Sequence, residues 1–469
     1  MKWEQLLSTK RARTTRSGTR PKEDLRSEFE KDYHRIIGSA SFRRLQDKTQ
    51  VFPLDKSDFI RTRLTHSLEV SSYGKSLGQN IGEYILNYIK DPSFTWKSKE
   101  DICNVLQCAG LIHDIGNPPF GHFGEVIIRE WFQKNLPRLQ YKGTSVEQLL
   151  SEQMRNDFYH FEGNAQALRL VSRLHYLVDE YGMNLTYALL STIVKYPVSS
   201  VAIQKDSGDI KEKKMGFYLA DQALYETIAK ETGTNGKRHP LTFILEAADD
   251  IAYKTADIED AFVKGFISYS MLKKALLDLQ EEEPKNPFKP AEQLEQKYEA
   301  AIKRGVMNPE EYAVKNWIVQ TQGFLINCAT YGFTANYKEI MAGEYKYDIF
   351  RGTFGEKLMK LLGNMAYKEV FATPAIYKME VAEAVILEFL MDRFVNAVLY
   401  YDTDVELGEI DKRYVTFISE NYKSAYHEQA KGKSEEEKLY LRLLLVTDYI
   451  CGMTDSYAKR LYQEMNSQI

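Results

Sequence analysis

The sequence predicts an all-α protein with at most a minor β-hairpin. Glycine and proline number only 27 and 13 in 469 residues, and apolar residues recur at three- and four-residue spacing over long stretches. Alternating period-two runs, the mark of half-buried strands, are scarce. The spacing predicts amphipathic helices over 64–89, 101–115, 185–196, 241–262, 381–401 and 435–462. Pro118-Pro119 stops the second of these, and Gly121 lets the backbone turn so that a new helix starts around His122. A hairpin would come from 201–203 and 217–219, with Gly208 and Asp209 between them. The acidic run 281–283 and then Pro284, Pro287 and Pro290 cannot continue a helix and should form a solvated linker. The expected layout is a basic amino-terminal arm (1–25), a helical core (26–275), a linker or insertion (276–290) and a helical carboxy-terminal region (291–469).

Composition removes whole classes of function. Hydrophobic residues at 43% and charged residues at 27% describe a soluble globular chain. The most apolar window, 381–401, is broken by Glu383, Glu388, Asp392 and Arg393, so no membrane span is expected. Lys and Arg total 62 against 66 Asp and Glu, a net charge of −4 that offers no bulk basic field to nucleic acid. Local positive charge exists in Lys10, Arg11, Arg13, Arg16, Arg20 and Lys22 and in Arg43-Arg44. The four cysteines form no CxxC pair, which points to a reducing compartment and a cytoplasmic location.

The segment richest in chemistry is Leu111-Ile112-His113-Asp114-Ile115-Gly116-Asn117-Pro118-Pro119-Phe120-Gly121-His122-Phe123-Gly124-Glu125. His113-Asp114 presents an imidazole and a carboxylate from one helix end, a pairing suited to a divalent ion. By itself the dipeptide is also what a capped helix end looks like. His122 and Glu125 are three apart, so they share a helix face and the carboxylate can orient and charge-balance the imidazole. His66 opens the 64–89 helix with Arg63 beside it. Asp249 and Asp250 stand at the centre of an apolar helix, where acids are costly unless they meet a cation. Asp249, Tyr253 and Asp257 fall at i, i+4 and i+8, a stripe of about 12 Å that is closer to a nucleotide than to a bare ion. The bland reading of that stripe is a solvated acidic face with Tyr253 half buried.

His66, then His113-Asp114, then Asp249, in this order on separate helices, resembles the HD-domain phosphohydrolase superfamily. Further segments narrow the likeness: 32–37 (DYHRII), 41–52 (SFRRLQDKTQVF), 161–166 (FEGNAQ) and 246–250 (EAADD). Together they resemble the deoxyguanosine triphosphate triphosphohydrolase family, from about residue 26 to 262. The resemblance implies metal ligands His66, His113, Asp114 and Asp249 and a catalytic pair His122 and Glu125. It implies substrate contacts from Gln46, Arg63, Lys195, Tyr196, Lys214, Tyr253 and Asp257, with Tyr253 against the deoxyribose and Asp257 on its 3′-hydroxyl. It also implies a divalent cofactor (Mn²⁺ or Mg²⁺, with Ni²⁺, Co²⁺ or Fe²⁺ as further options) and a dGTP-preferring dNTP triphosphohydrolase that releases deoxynucleoside and tripolyphosphate. Related enzymes are oligomers, often hexamers, and some respond to an activating dNTP; single-stranded DNA is a further candidate effector. His34, His160, His175, His239 and His427 receive no role.

Two questions stay open in the sequence. His122 could protonate the leaving 5′-oxygen or position the attacking water, and no motif reads the base, although 332–347 or 371–377 could contribute. The rival readings are another HD-type nucleotidase or phosphodiesterase, and a nucleotide-sensing regulator that binds single-stranded DNA through the basic arm.

Overall fold

Five helices build the walls of the site, and local sequence explains how three of them start. The structure, a computed structural model, describes residues 1–13, 24–50, 61–175 and 179–467. Thr62 caps the Arg63–Tyr84 helix by accepting from the Thr65 N–H, and Thr95 caps Trp96–Ile112 in the same way. These two helices pack along their length, with Val70, Leu77 and Ile81 facing Ile102, Val105 and Leu106 in the core. The long Pro240–Val263 helix starts on a proline at its first turn and crosses both. The Pro374–Val398 helix, from the carboxy-terminal half, packs on Gly121–Asn135 and closes the remaining side.

The architecture is all-α, as expected. The sole sheet among the described residues pairs Gln140–Tyr141 with Thr144–Ser145. It is not the hairpin expected at 201–219, where short 3-10 turns occur at Ser200–Ala202, Ile210–Glu212 and Leu219–Asp221. Lys142-Gly143, both at positive φ (50° and 85°), provides the tight turn that a two-residue hairpin needs. The expected 435–462 helix is two helices, Glu435–Cys451 and Asp455–Met465. Thr454 caps the second through its hydroxyl.

Two boundaries need correction. Tyr269–Glu282 stays helical through most of the acidic run, and Pro290 opens Pro290–Lys303, so the connection is 283–289 with Phe288 buried. Proline at a helix start loses no bond, which is why it marks a beginning here. The described part of the basic arm, 1–13, is docked and not free. Trp3 and Leu6 are fully buried, Trp3 Nε1 donates to the Tyr337 hydroxyl at 2.7 Å, and Arg11 pairs with Asp32 and Glu28. Three apolar side chains, Trp3, Leu6 and Leu7, are buried where this segment docks. Arg16, Arg20 and Lys22, and likewise Val51-Phe52, lie outside the described residues.

One apolar cluster runs from Trp3 to Leu461, so the amino- and carboxy-terminal halves share a core. A buried polar knot crosses the same seam. Arg169 donates through Nε and Nη2 to the Asp448 carboxylate at 2.8 Å, and Gln166 Nε2 joins at 2.9 Å. Among the described residues no helix is long and apolar enough to cross a membrane, and all four cysteines are free and buried. Replacing Asp448 with alanine leaves the buried Arg169 guanidinium only Asp221 at 3.4 Å and Gln429 at 3.1 Å, so Asp448→Ala should destabilise the fold by about 3 kcal/mol, read as a lower denaturation midpoint for both halves together.

Candidate active site

Three helices bring three of the four predicted metal donors, His66, His113 and Asp249, to one point, with Asp114 beside them. His66 sits one turn into Arg63–Tyr84, His113-Asp114 follows the end of Trp96–Ile112, and Asp249 lies mid-way along Pro240–Val263. His66 Nε2 is 3.1 Å and His113 Nε2 3.3 Å from Asp249 Oδ1, and Asp114 Oδ1 is 3.6 Å from His113 Nε2. His113 Nδ1–H donates to the Gly110 carbonyl at 2.8 Å, which fixes the tautomer and turns a bare Nε2 toward the carboxylates. That Nε2 is buried and has no hydrogen-bond partner. Donor atoms of His66, His113 and Asp249 all lie within 4.8 Å of one another. Two imidazoles with carboxylates suit a divalent first-row ion better than Ca²⁺, so the residues present fit a metal.

Cations already crowd these acids. Lys195 Nζ lies 3.1 Å from Asp249 Oδ2, and Arg63 donates to Asp114 Oδ2. Burial would raise the Asp249 carboxyl, but the Lys195 ammonium and the imidazoles outweigh it and hold the group well below its usual range. Gly121, at φ 61°, faces Arg63: a Cβ there would fall 2.4 Å from its Nη2.

His122, in the first turn of Gly121–Asn135, projects into open space (76% exposed) above a buried Glu125. Its Nδ1 is 3.3 Å from Glu125 Oε2, and Glu125 Oε1 accepts the Gly163 N–H at 2.9 Å. The hydrogen bond to Glu125, and then its charge, raises the His122 imidazole above its ordinary value. Gly163 explains the FEGN segment, since a Cβ there would sit 2.1 Å from Asn117 Oδ1 and 2.6 Å from Glu125 Oε1.

A cavity of about 460 Å³ runs from these groups along the Asp249–Tyr253–Asp257 stripe to Phe371, Ile376 and Glu383. A second lobe of about 320 Å³, lined by Lys195, Tyr196, Lys213 and Lys214, meets it at His122, Asn164, Lys195 and Asp249. Lys214 Nζ pairs with Glu162 Oε2 at 2.8 Å. Asp257 is buried, and burial with the neighbouring Asp260 pushes it up to about 8.

Of the predicted residues, twelve converge on this double cavity or its immediate wall, namely His66, His113, Asp114, Asp249, His122, Glu125, Arg63, Lys195, Tyr196, Lys214, Tyr253 and Asp257. Gln46 does not. It is exposed on the 3-10 turn Leu45–Asp47, and the chain extends after that turn so that Thr49 and Gln50 line the cavity instead. Gln50 Oε1 is buried there without a partner. Sequence reasoning also missed Glu383, 2% exposed with an unpartnered Oε1 and lifted to about 8, chiefly by burial. Its signal was visible as an acid interrupting an apolar helical window.

Residues 63–228 match the HD domain and 355–464 the phosphohydrolase-associated domain. The chain is 46% identical over 471 residues to a deoxyguanosinetriphosphate triphosphohydrolase-like protein of Listeria monocytogenes, covering 99% of both chains. It is 34% identical over 481 residues to one of the same name from Synechocystis, again covering 99% of both. A deoxyguanosinetriphosphate triphosphohydrolase of Serratia proteamaculans is 32% identical over 490 residues, covering 94% of each. A helical HD core, two imidazoles meeting carboxylates at the head of a long cavity, and full-length likeness at these identities agree: this chain belongs to the deoxyguanosinetriphosphate triphosphohydrolase-like family of HD-domain phosphohydrolases.

Proposed function

We propose that the protein hydrolyses deoxynucleoside triphosphates, dGTP first among them, to deoxynucleoside and tripolyphosphate. The observation that carries this reading is the double cavity: a lobe holding Lys195, Lys213 and Lys214 beside the acids Glu246, Asp250 and Asp348 on one side of His122 and Asp249, and the Tyr253–Asp257 stripe on the other. A triphosphate in the first lobe and a sugar along the stripe put the α-phosphorus beside the metal donors. His66, His113, Asp114 and Asp249 would hold a divalent ion, which supplies charge to the α-phosphate and lowers the pKa of bound water.

The chain's own residues do the rest. The nucleoside leaves through its 5′-oxygen, a basic alkoxide that needs a proton. His122, kept charged by buried Glu125, is placed to give it, a role worth about 10²–10⁴-fold. Lys195 and Lys214 hold the phosphates by charge, exchanging their present carboxylate partners for phosphate oxygens. Tyr253 packs on the sugar and Asp257 takes the 3′-hydroxyl. A 2′-hydroxyl would meet the tyrosine ring with no partner, and an unpaired hydroxyl can discriminate strongly. At the far end Glu383, lifted to about 8 by burial, can meet the adjacent N1–H and amino donors of guanine once it gives up its proton.

Product analysis tests the reading. Incubation with Mn²⁺ and each dNTP should yield tripolyphosphate, fastest from dGTP and far slower from GTP, and Glu383→Gln should narrow the gap between dGTP and dATP. Pyrophosphate or orthophosphate as the first product would overturn it. The pH profile tests the acid. His122 titrates above its ordinary 6.5 because of Glu125, so an acid role is intact below that raised value and fades as pH climbs through it. Glu125→Gln should therefore shift the alkaline limb of kcat to lower pH, and His122→Ala should abolish turnover while dGTP still binds.

A further inference from the structure

The turn Asn117-Pro118-Pro119-Phe120-Gly121 joins the metal donors to His122, and it has little means to hold its own shape. Pro118 and Pro119 carry no N–H. Phe120 stands at φ 63° beside Gly121 at 61°, a left-handed conformation disfavoured for a bulky residue. Its internal bonds are long, Asn117 N–H to the Asp114 carbonyl at 3.2 Å and Gly121 N–H to the Pro118 carbonyl at 3.3 Å.

Two buried charged side chains reach it from outside. Lys48 Nζ donates to the Asn117 carbonyl and to the Cys451 carbonyl, both at 2.6 Å. The Asp455 carboxylate accepts the Phe120 N–H at 3.0 Å on one oxygen and the Thr49 N–H at 2.8 Å on the other. Both side chains are at most 3% exposed, and neither lines the cavity. Residues 48–49 are themselves tied to the start of the helix bearing His66. The Arg63 N–H donates to the Lys48 carbonyl at 2.9 Å, and Thr49 bridges Thr62. Hydrogen bonds between an ionised group and the backbone are among the stronger ones available, and both of these are shielded from water.

We infer that Lys48 and Asp455 are positioning residues, a clamp through which the Glu435–Cys451 and Asp455–Met465 helices set the 117–121 turn and so the place of His122 relative to the metal donors. The inference rests on the functional reading above only for its effect on turnover; the clamp itself is a statement about backbone order. It gives the carboxy-terminal region a part in the chemistry without any side chain of this pair of helices touching substrate.

The test uses the full chain with Asp455→Ala, Asp455→Asn and Lys48→Met, and Ser456→Ala as control, since the Ser456 hydroxyl reaches only Asp47 at the surface. Backbone amide exchange at Thr49 and Phe120 is measured beside kcat, KM for dGTP, Mn²⁺ affinity and the unfolding midpoint. A small displacement of an acid group can reduce turnover by about 10²-fold, so kcat should fall by roughly 10- to 100-fold in Asp455→Ala and Lys48→Met, with KM and Mn²⁺ affinity near wild type. Asp455→Asn, which keeps one acceptor oxygen, should fall between. Exchange at Phe120 should accelerate well beyond any change at Ile127 and Ile128 in the following helix. Unchanged exchange at Phe120 in folded variants, or a kcat loss that only tracks lost metal binding or lost folded fraction, overturns the clamp. If the wild-type protein cleaves no dNTP, the functional reading falls while amide exchange still decides the clamp.

Discussion

Asp249 occupies the middle of a 24-residue helix whose neighbouring inward residues are alanine, leucine and isoleucine. A carboxylate in that setting must meet positive charge, and much of the surrounding structure can be derived from that requirement. His66 and His113 approach one oxygen and Lys195 the other. Asp114, one residue past His113, takes Arg63. The two helices that deliver the histidines pack closely, so their imidazole rings meet edge to face, centroids 5.2 Å apart. A divalent ion drawn into the same donors would leave Lys195 and Arg63 free to turn to phosphate, so under the proposed function this arrangement would exchange one set of charges for another.

The same economy of charge runs outward along the cavity. Glu125 is fully enclosed and has two assigned tasks, one oxygen on the Gly163 N–H and the other on His122. Asp257 and Glu383, by contrast, are buried with their oxygens turned to the void, and burial lifts both to about 8. Acids held near neutrality can accept or donate, the behaviour expected of groups that read hydroxyl and amide hydrogens on a ligand. The polar ends of the cavity thus differ in kind: paired and ionised at the metal donors, unpartnered and pKa-raised at the far wall.

Much of this was legible in the chain. The stripe at Asp249, Tyr253 and Asp257 and the pair at His122 and Glu125 follow from helical spacing, and spacing survives folding because both helices are long. Gln46 was misplaced because a 3-10 turn and the extended residues after it break that periodicity, so the side chains that reach the cavity come three and four residues later. The expected hairpin failed for a similar reason: local alternation over three residues is no match for turn chemistry, which Lys142-Gly143 supplies elsewhere. Lys48 and Asp455 were invisible, since nothing local distinguishes a surface charge from one that bonds backbone some 70 and 335 residues away. Only packing of the two halves reveals them.

The proposal stands on four donors from three helices gripping one divalent ion, and Mn²⁺ binding followed by electron paramagnetic resonance tests that most directly. It predicts a single tightly bound Mn²⁺ per chain that disappears in folded His66→Ala and Asp249→Ala and persists in Asp257→Ala. Undiminished binding in both donor variants would contradict it.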